Sequence, residues 1–276
     1  MQFKDKFLDL SQPRVMGILN VTPDSFSDGG SFNGLDNALK QTELMLGEGA
    51  DFIDIGGEST RPGANEVTLQ QELDRVLPVI EAINERFDTL VSIDTSKAKV
   101  MTEAVTAGAG LINDVRALQE GTALEAAAKA NVPVCLMHMQ GQPRKMQQNP
   151  KYNNVVDDVL AFLKDRIRAC QEIGIDQEKI IVDPGFGFGK SLEQNYQLLA
   201  ELAAFKTLHV PLLVGMSRKS MLGHLLQRDV NQRLAGGVAV ATMALEQGAK
   251  IIRVHDVKET VDAVKVVTAI NAYRNI

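Results

Sequence analysis

Gly17-Ile18-Leu19-Asn20-Val21-Thr22-Pro23-Asp24-Ser25-Phe26-Ser27-Asp28-Gly29-Gly30 is two segments joined at Asn20. Up to Asn20 it is the end of an apolar run of strand length that begins near Arg14. From Thr22 to Gly34 it holds Gly, Ser, Asp, Asn and Pro with only two aromatics. A polar stretch that long, with no period of its own, is more often a lid or binding loop than filler. A short apolar strand, a polar residue at its end, a loop and then a helical pattern make one unit. That unit recurs through the chain.

Working outward, strands are expected at 14–20, 52–57, 90–94, 110–114, 133–138, 179–183, 211–215 and 250–254. Helical periodicity fills 35–46, 69–86, 97–107, 123–130, 155–173 and 192–204. Two further helices are expected at 220–227 and 232–247, and a last one from 257 onward. Strands separated by crossover-length segments pair in parallel. Eight such units in 276 residues match a (β/α)8 TIM barrel of about 250 residues. The reading is an α/β fold of one domain, 1–276, with an extra helix between strands seven and eight. A doubly wound open sheet is the alternative; it would use fewer strands and split a chain this long.

Composition excludes some functions. The net charge of -6 argues against a sequence-independent nucleic-acid binder. No apolar run approaches the ~18 residues of a membrane helix, and residues 1–10 lack the apolar core of a signal peptide. The two cysteines, Cys135 and Cys170, lie far apart in apolar surroundings. They read as reduced packing residues of a cytoplasmic protein.

In a barrel of this kind, active sites form at the C-terminal ends of the strands. Those ends carry Asn20, Asp94, Asn113 with Asp114, His138, Asp183, Ser217-Arg218-Lys219-Ser220, and Arg253 with His255. Any one of them is explained by a chain turning polar as it leaves a strand. The set is not, because ordinary turns favour Gly, Asn and Ser over acids that follow four apolar residues. Arg253 and His255 are two apart and share a side of their strand. With Arg218 and Lys219 they place basic groups after strands seven and eight, where barrels often hold phosphate. The alternative is that Arg253 and Lys219 pair with Asp94 and Asp183; in an empty site both readings hold.

Three features mislead. Pro184-Gly185-Phe186-Gly187-Phe188-Gly189-Lys190-Ser191 ends like a P-loop, but proline replaces the first glycine and removes a backbone donor. Gly215-Met216-Ser217-Arg218-Lys219 resembles a nucleophile elbow without its final glycine. The four histidines lack zinc-ligand spacing; His209 and His224 read as surface or packing residues and His138 as a wall residue.

Two long motifs carry a family resemblance. Asn20-Val21-Thr22-Pro23-Asp24-Ser25-Phe26-Ser27-Asp28-Gly29-Gly30 and Asp54-Ile55-Gly56-Gly57-Glu58-Ser59-Thr60-Arg61-Pro62-Gly63 resemble the two signatures of the dihydropteroate synthases. Ser92-Ile93-Asp94-Thr95, Ile112-Asn113-Asp114, Asp183-Pro184-Gly185-Phe186-Gly187-Phe188-Gly189-Lys190, Ser217-Arg218-Lys219-Ser220 and Arg253-Val254-His255-Asp256 are similar too. The likeness covers nearly the whole chain and is of the enterobacterial type.

The resemblance implies an enzyme that condenses 6-hydroxymethyl-7,8-dihydropterin pyrophosphate with p-aminobenzoate, giving 7,8-dihydropteroate and pyrophosphate. It implies magnesium as cofactor, a homodimer, small-molecule partners, and competition by sulfonamides. It assigns Asp183, Asn113 and Lys219 to the pterin, between walls of Met137, Val115, Gly215 and Phe188. It assigns Asn20 to the metal, Arg253 and His255 to pyrophosphate, and Asp94 to a cationic pterin formed by a dissociative route. Arg61, Pro62, Phe188 and Ser220 fall to p-aminobenzoate, and Thr60 is a further substrate-binding residue. The loops 22–34 and 58–68 are expected to close over the cation and exclude water.

Two rivals remain at this stage. One is a pterin- or folate-binding module of a methyltransferase system, which binds without condensing. The other is a Schiff-base aldolase with Lys219 as nucleophile.

Overall fold

The structure is a computed structural model that describes residues 1–22, 30–59, 66–141 and 150–274. Two short strands, β1 (Gln2–Phe3) and β2 (Lys6–Phe7), form an antiparallel hairpin. The barrel strands are β3 (Arg14–Asn20), β4 (Phe52–Gly56), β5 (Leu90–Asp94), β6 (Leu111–Asp114), β7 (Val134–Met137), β8 (Ile180–Asp183), β9 (Leu213–Val214) and β10 (Ile251–Val254). Around them run α1 (Gly30–Gly47), α2 (Leu69–Arg86), α3 (Ala98–Thr106), α4 (Ala123–Ala130), α5 (Val155–Glu172), α6 (Leu192–Ala200), α7 (Ser220–Leu226), α8 (Leu234–Glu246) and α9 (Val257–Arg274). No helix among the described residues is long and apolar enough to cross a membrane.

The eight barrel strands are parallel, in the order β8-β7-β6-β5-β4-β3-β10-β9. A single bridge, Val182 to Leu212, brings the two ends of this sheet together. This is the barrel expected from the strand pattern, including the extra helix between β9 and β10, where α7 precedes α8. The closing strand is shorter than the expected 211–215. Pro211 has no N–H for the ladder and contributes only its carbonyl, to the Val182 N–H at 3.0 Å.

Local chemistry sets the helix starts. Thr68 and Gln71 form a reciprocal capping box at α2, and Ser191 and Gln194 repeat it at α6. The Asn154 side chain accepts from the N–H groups of Val156 and Asp157 at the start of α5.

Two apolar cores follow from the alternation of side chains along each strand. One lies between barrel and helices and takes Val15, Ile53, Ile55, Val91, Ile93, Ile112, Val134 and Val182 from the strands. The other fills the lower barrel with Met16, Phe52, Leu90, Leu111, Cys135, Ile181, Leu213 and Ile251. Phe3 of the hairpin closes that end, with its ring edge-on to Phe52 at 5.3 Å between centroids. The strand pattern in the sequence does not extend to this hairpin. Both cysteines are free and buried, as expected.

Candidate active site

Two residues further up each strand, the interior turns polar. Asp54 of β4 is fully buried, and its Oδ2 accepts from Arg253 Nε at 2.5 Å and from Asn113 Nδ2 at 3.1 Å. Arg253 of β10 also donates from Nη2 to Asp94 Oδ2 of β5 at 2.7 Å. One guanidinium fork thus ties two carboxylates across the barrel mouth. The alternative pairing weighed for Arg253 and Asp94 is therefore present. Burial opposes the charge on Arg253, but Asp54 and Asp94 hold its pKa above the usual arginine value. Desolvation pushes the Asp94 carboxyl up to about 7 against the pull of Arg253. The second oxygen of Asp54, Oδ1, has no hydrogen-bond partner, and neither has the buried Ser92 hydroxyl.

β8 lies four strands from β4, on the far side of the barrel. There Asp183 is 4% exposed, and its Oδ1 accepts the Gly185 N–H at 2.8 Å. Burial raises its pKa, with the Lys219 charge opposing. Lys219 follows β9. Its ammonium donates to the Phe186 carbonyl and stands 4.5 Å from the Phe188 ring centroid. Burial brings its pKa down to about 8, although Asp183 and Asp94 favour the charged form.

His255 Nδ1 lies 3.2 Å from Ser217 Oγ, and its backbone N–H donates to the same oxygen. Met137 and Val115 are buried apolar residues at the ends of β7 and β6. Asn20 ends β3 in register with Gly56, which is in register with Asp94. A Cβ on Gly56 would lie 3.8 Å from both Asn20 Oδ1 and Asp94 Cβ. Asn20 and Asp94 therefore flank one strand at one height.

The arrangement offers an acceptor carboxylate, an amide and a lysine for a flat polar ring, with an arginine and a histidine toward an anion. Asn20, Asp94, Asn113, Met137, Asp183, Phe188, Gly215, Lys219, Arg253 and His255 all lie on the upper strand ends or the loops leaving them. Ser220 begins α7 and is exposed. Thr60, Arg61 and Pro62 lie outside the described residues. Arg218, one of the basic groups expected to hold an anion, pairs instead with Asp256.

Asp54 is the site residue that sequence reasoning passed over. It stands inside its strand rather than at the end, and its signals are an acid alone in Phe52-Ile53-Asp54-Ile55 and its place at the head of the second long motif. Behind β4 and β5, the buried Glu72 of α2 accepts from Thr95 Oγ1 at 2.5 Å, and Lys97 pairs with Glu58 and Glu72. This network fixes the turn that follows Asp94.

Comparison with known proteins settles the kinship. Residues 16–255 match a family described as pterin binding enzyme. The dihydropteroate synthase of Haemophilus influenzae is 60% identical over 262 residues, 95% of each chain. The chain belongs to the dihydropteroate synthase family. Its solved relatives include a Yersinia pestis dihydropteroate synthase in complex with a sulfonamide drug. That structure is 59% identical, with TM-score 0.94 over 99% of both chains. The Xanthomonas albilineans dihydropteroate synthase with 4-aminobenzoic acid is 50% identical, with TM-score 0.91 over 96% of this chain and 95% of that one. Dihydropteroate synthases are transferases, and the barrel described above is the fold of these relatives. The resemblance carried by the two long motifs is borne out at the level of family and fold.

Proposed function

We propose that this chain condenses 6-hydroxymethyl-7,8-dihydropterin pyrophosphate with p-aminobenzoate, forming 7,8-dihydropteroate and pyrophosphate. The observation that carries the reading is the division of one barrel mouth. Arg253 of β10, tied to Asp54 and Asp94, offers a cation to an anionic group, while Asp183 of β8, opposite β4, and Lys219 after β9 offer polar groups to a heterocycle. Similarity to the Xanthomonas protein that binds 4-aminobenzoic acid supports the second substrate.

A pterin presents an amino group and a ring N–H side by side, and the Asp183 carboxylate accepts both. Asn113, with donor and acceptor in one amide, reads the neighbouring edge, and Lys219 donates to the carbonyl side. Met137, Val115, Gly215 and Phe188 form the flat walls. Arg253 and His255 take the pyrophosphate by charge-assisted hydrogen bonds. The C–O bond breaks first, leaving a cationic pterin, and the ionised Asp94 stabilises that charge from a preorganised, water-poor position. The amine of p-aminobenzoate then attacks the methylene carbon, with the ring near Phe188 and Pro62. Its carboxylate meets the Ser220 hydroxyl, with Arg61 assigned to the same substrate and Thr60 a further substrate-binding residue.

Magnesium fits this donor set. The Asn20 amide oxygen beside Asp94 is a hard neutral ligand, suited to a cation that keeps waters and takes phosphate oxygens for the rest of its shell. When bound, the metal draws charge from the leaving pyrophosphate.

Release of pyrophosphate from the pterin substrate, measured with magnesium and with or without p-aminobenzoate, tests the proposal. One pyrophosphate for each dihydropteroate supports it. Pterin binding with no condensation would instead favour a carrier module, and borohydride trapping of a carbonyl compound on Lys219 would favour an aldolase.

A cytoplasmic homodimer completes the proposal. Val266, Ile270 and Tyr273 form an exposed apolar stripe along α9, with Met243 of α8 also exposed. Sulfonamides are expected to compete with p-aminobenzoate here, as analogues of that substrate.

A further inference from the structure

The loop after β8 ends in Gly189-Lys190-Ser191, and its lysine turns into the protein. Lys190 is 2% exposed. Its ammonium donates to the carbonyls of Gly185 at 2.8 Å and Phe188 at 3.1 Å, and meets His138 Nδ1 at 3.0 Å. Three N–H groups thus find three acceptors. Burial lowers the His138 pKa to about 2, so its ring is neutral, Nδ1 accepts, and the ring proton is assigned to Nε2. Burial also lowers Lys190 to about 7, with Asp183 favouring its charge and Lys219 opposing it.

The same loop turns its other side to Lys219. The Phe186 carbonyl accepts from Lys219, and the Phe188 ring lies beneath its charge. The backbone is held in a shape that only glycine takes easily. Gly185 has φ +72, and a Cβ there would lie 1.8 Å from the His138 carbonyl oxygen. Gly187 has φ +78, and a Cβ there would come 3.1 Å from Lys219 Cδ.

We propose that Lys190 is a positioning residue for Lys219: from behind the glycine-rich loop it fixes the carbonyl and the ring that aim the Lys219 ammonium at the pterin. Lys190 touches no substrate. It acts through the Gly185 and Phe188 carbonyls, on either side of the Phe186 peptide that Lys219 grips. The inference rests on the proposed contact of Lys219 with the pterin.

A double-mutant cycle tests it, with 6-hydroxymethylpterin as the probe and equilibrium affinity as the readout. Lys219→Met is expected to weaken binding by about tenfold or more, and Lys190→Met alone by about tenfold. In the Lys219→Met background, Lys190→Met should then cost less than about twofold, because there is nothing left to aim. A purely structural role would lose the same factor in both backgrounds, and that result overturns the proposal. Unchanged affinity in Lys190→Met overturns it as well. Unchanged affinity in Lys219→Met overturns the pterin contact itself, which is a separate failure. Should Lys190→Met fail to fold, Lys190→Arg serves in the cycle. It keeps the charge but cannot place one donor on each of three acceptors.

Discussion

The lower and upper halves of the barrel interior are built from the same strands and the same inward-facing positions. Phe52, Leu90, Leu111 and Ile251 point into the lower half; Asp54, Ser92, Asn113 and Arg253, two residues further on, point into the upper. Below, hydrocarbon fills the space and Phe3 closes it. Above, two carboxylates share one guanidinium, and Asp54 Oδ1 and Ser92 Oγ have no hydrogen-bond partner. The lower interior layer is filled by apolar side chains. The upper layer carries burial costs at two polar atoms that its own side chains leave unpaired. A strand of five residues can therefore hold stability at one end and chemistry at the other.

The sharpest way to break this division is Phe52→Ala. It should cost about 3–5 kcal/mol of stability in denaturant unfolding, while kcat per folded molecule stays the same. A fall in kcat at unchanged stability would erase the distinction between the layers. Next is Asp94→Asn, which should lower kcat by about 10²–10³ and change pterin affinity much less.

The pH profile sharpens the same assignment. A carboxyl raised to about 7 is ionised above that pH, so kcat/KM should fall as pH drops through about 7. The stability effect has the opposite sign. The folded pKa lies above the ordinary value, so protonation favours the fold, and this contribution is lost as pH rises from about 4 through 7. An acidic limb that persists in Asp94→Asn would assign the titration elsewhere.

Asp183→Asn should weaken pterin binding by about 10–100-fold, because an amide donor would face a ligand donor; calorimetric titration reads this directly. The smallest effect is expected at Ser92→Ala. That change removes a buried hydroxyl with no partner, so stability should rise or change by less than about 1 kcal/mol.

The upper layer was legible in sequence where each polar residue ended an apolar run. Asp94, Asn113, Asp183 and Arg253 were found that way, and their geometry places them around one mouth. Asp54 was not, because an inward charge in mid-strand looks like a break in a pattern until register shows Ser92 beside it. By sequence, Lys190 ends both a run that mimics a P-loop and the family motif that begins at Asp183, and neither gives it a role. Nothing in its spacing shows that the chain reverses over it and buries the ammonium. The hairpin was silent for another reason: strands of two residues are too short to display a period. The eight-strand pattern survived these gaps because each barrel strand carries its own apolar run and is followed by its own helix.

The ladder between β3 and β10 has a consequence for biosynthesis. Arg14 pairs with Ile251 and Gly17 with Val254, so the first barrel strand waits for nearly the whole chain before its second neighbour arrives. Until then, a nascent chain leaving the ribosome exposes one edge of β3, which carries the buried residues Val15, Met16 and Leu19. Translation pauses late in the message would lengthen that exposure. Chaperone demand should therefore track the time taken to synthesise the last barrel strand more closely than the stability of the finished enzyme.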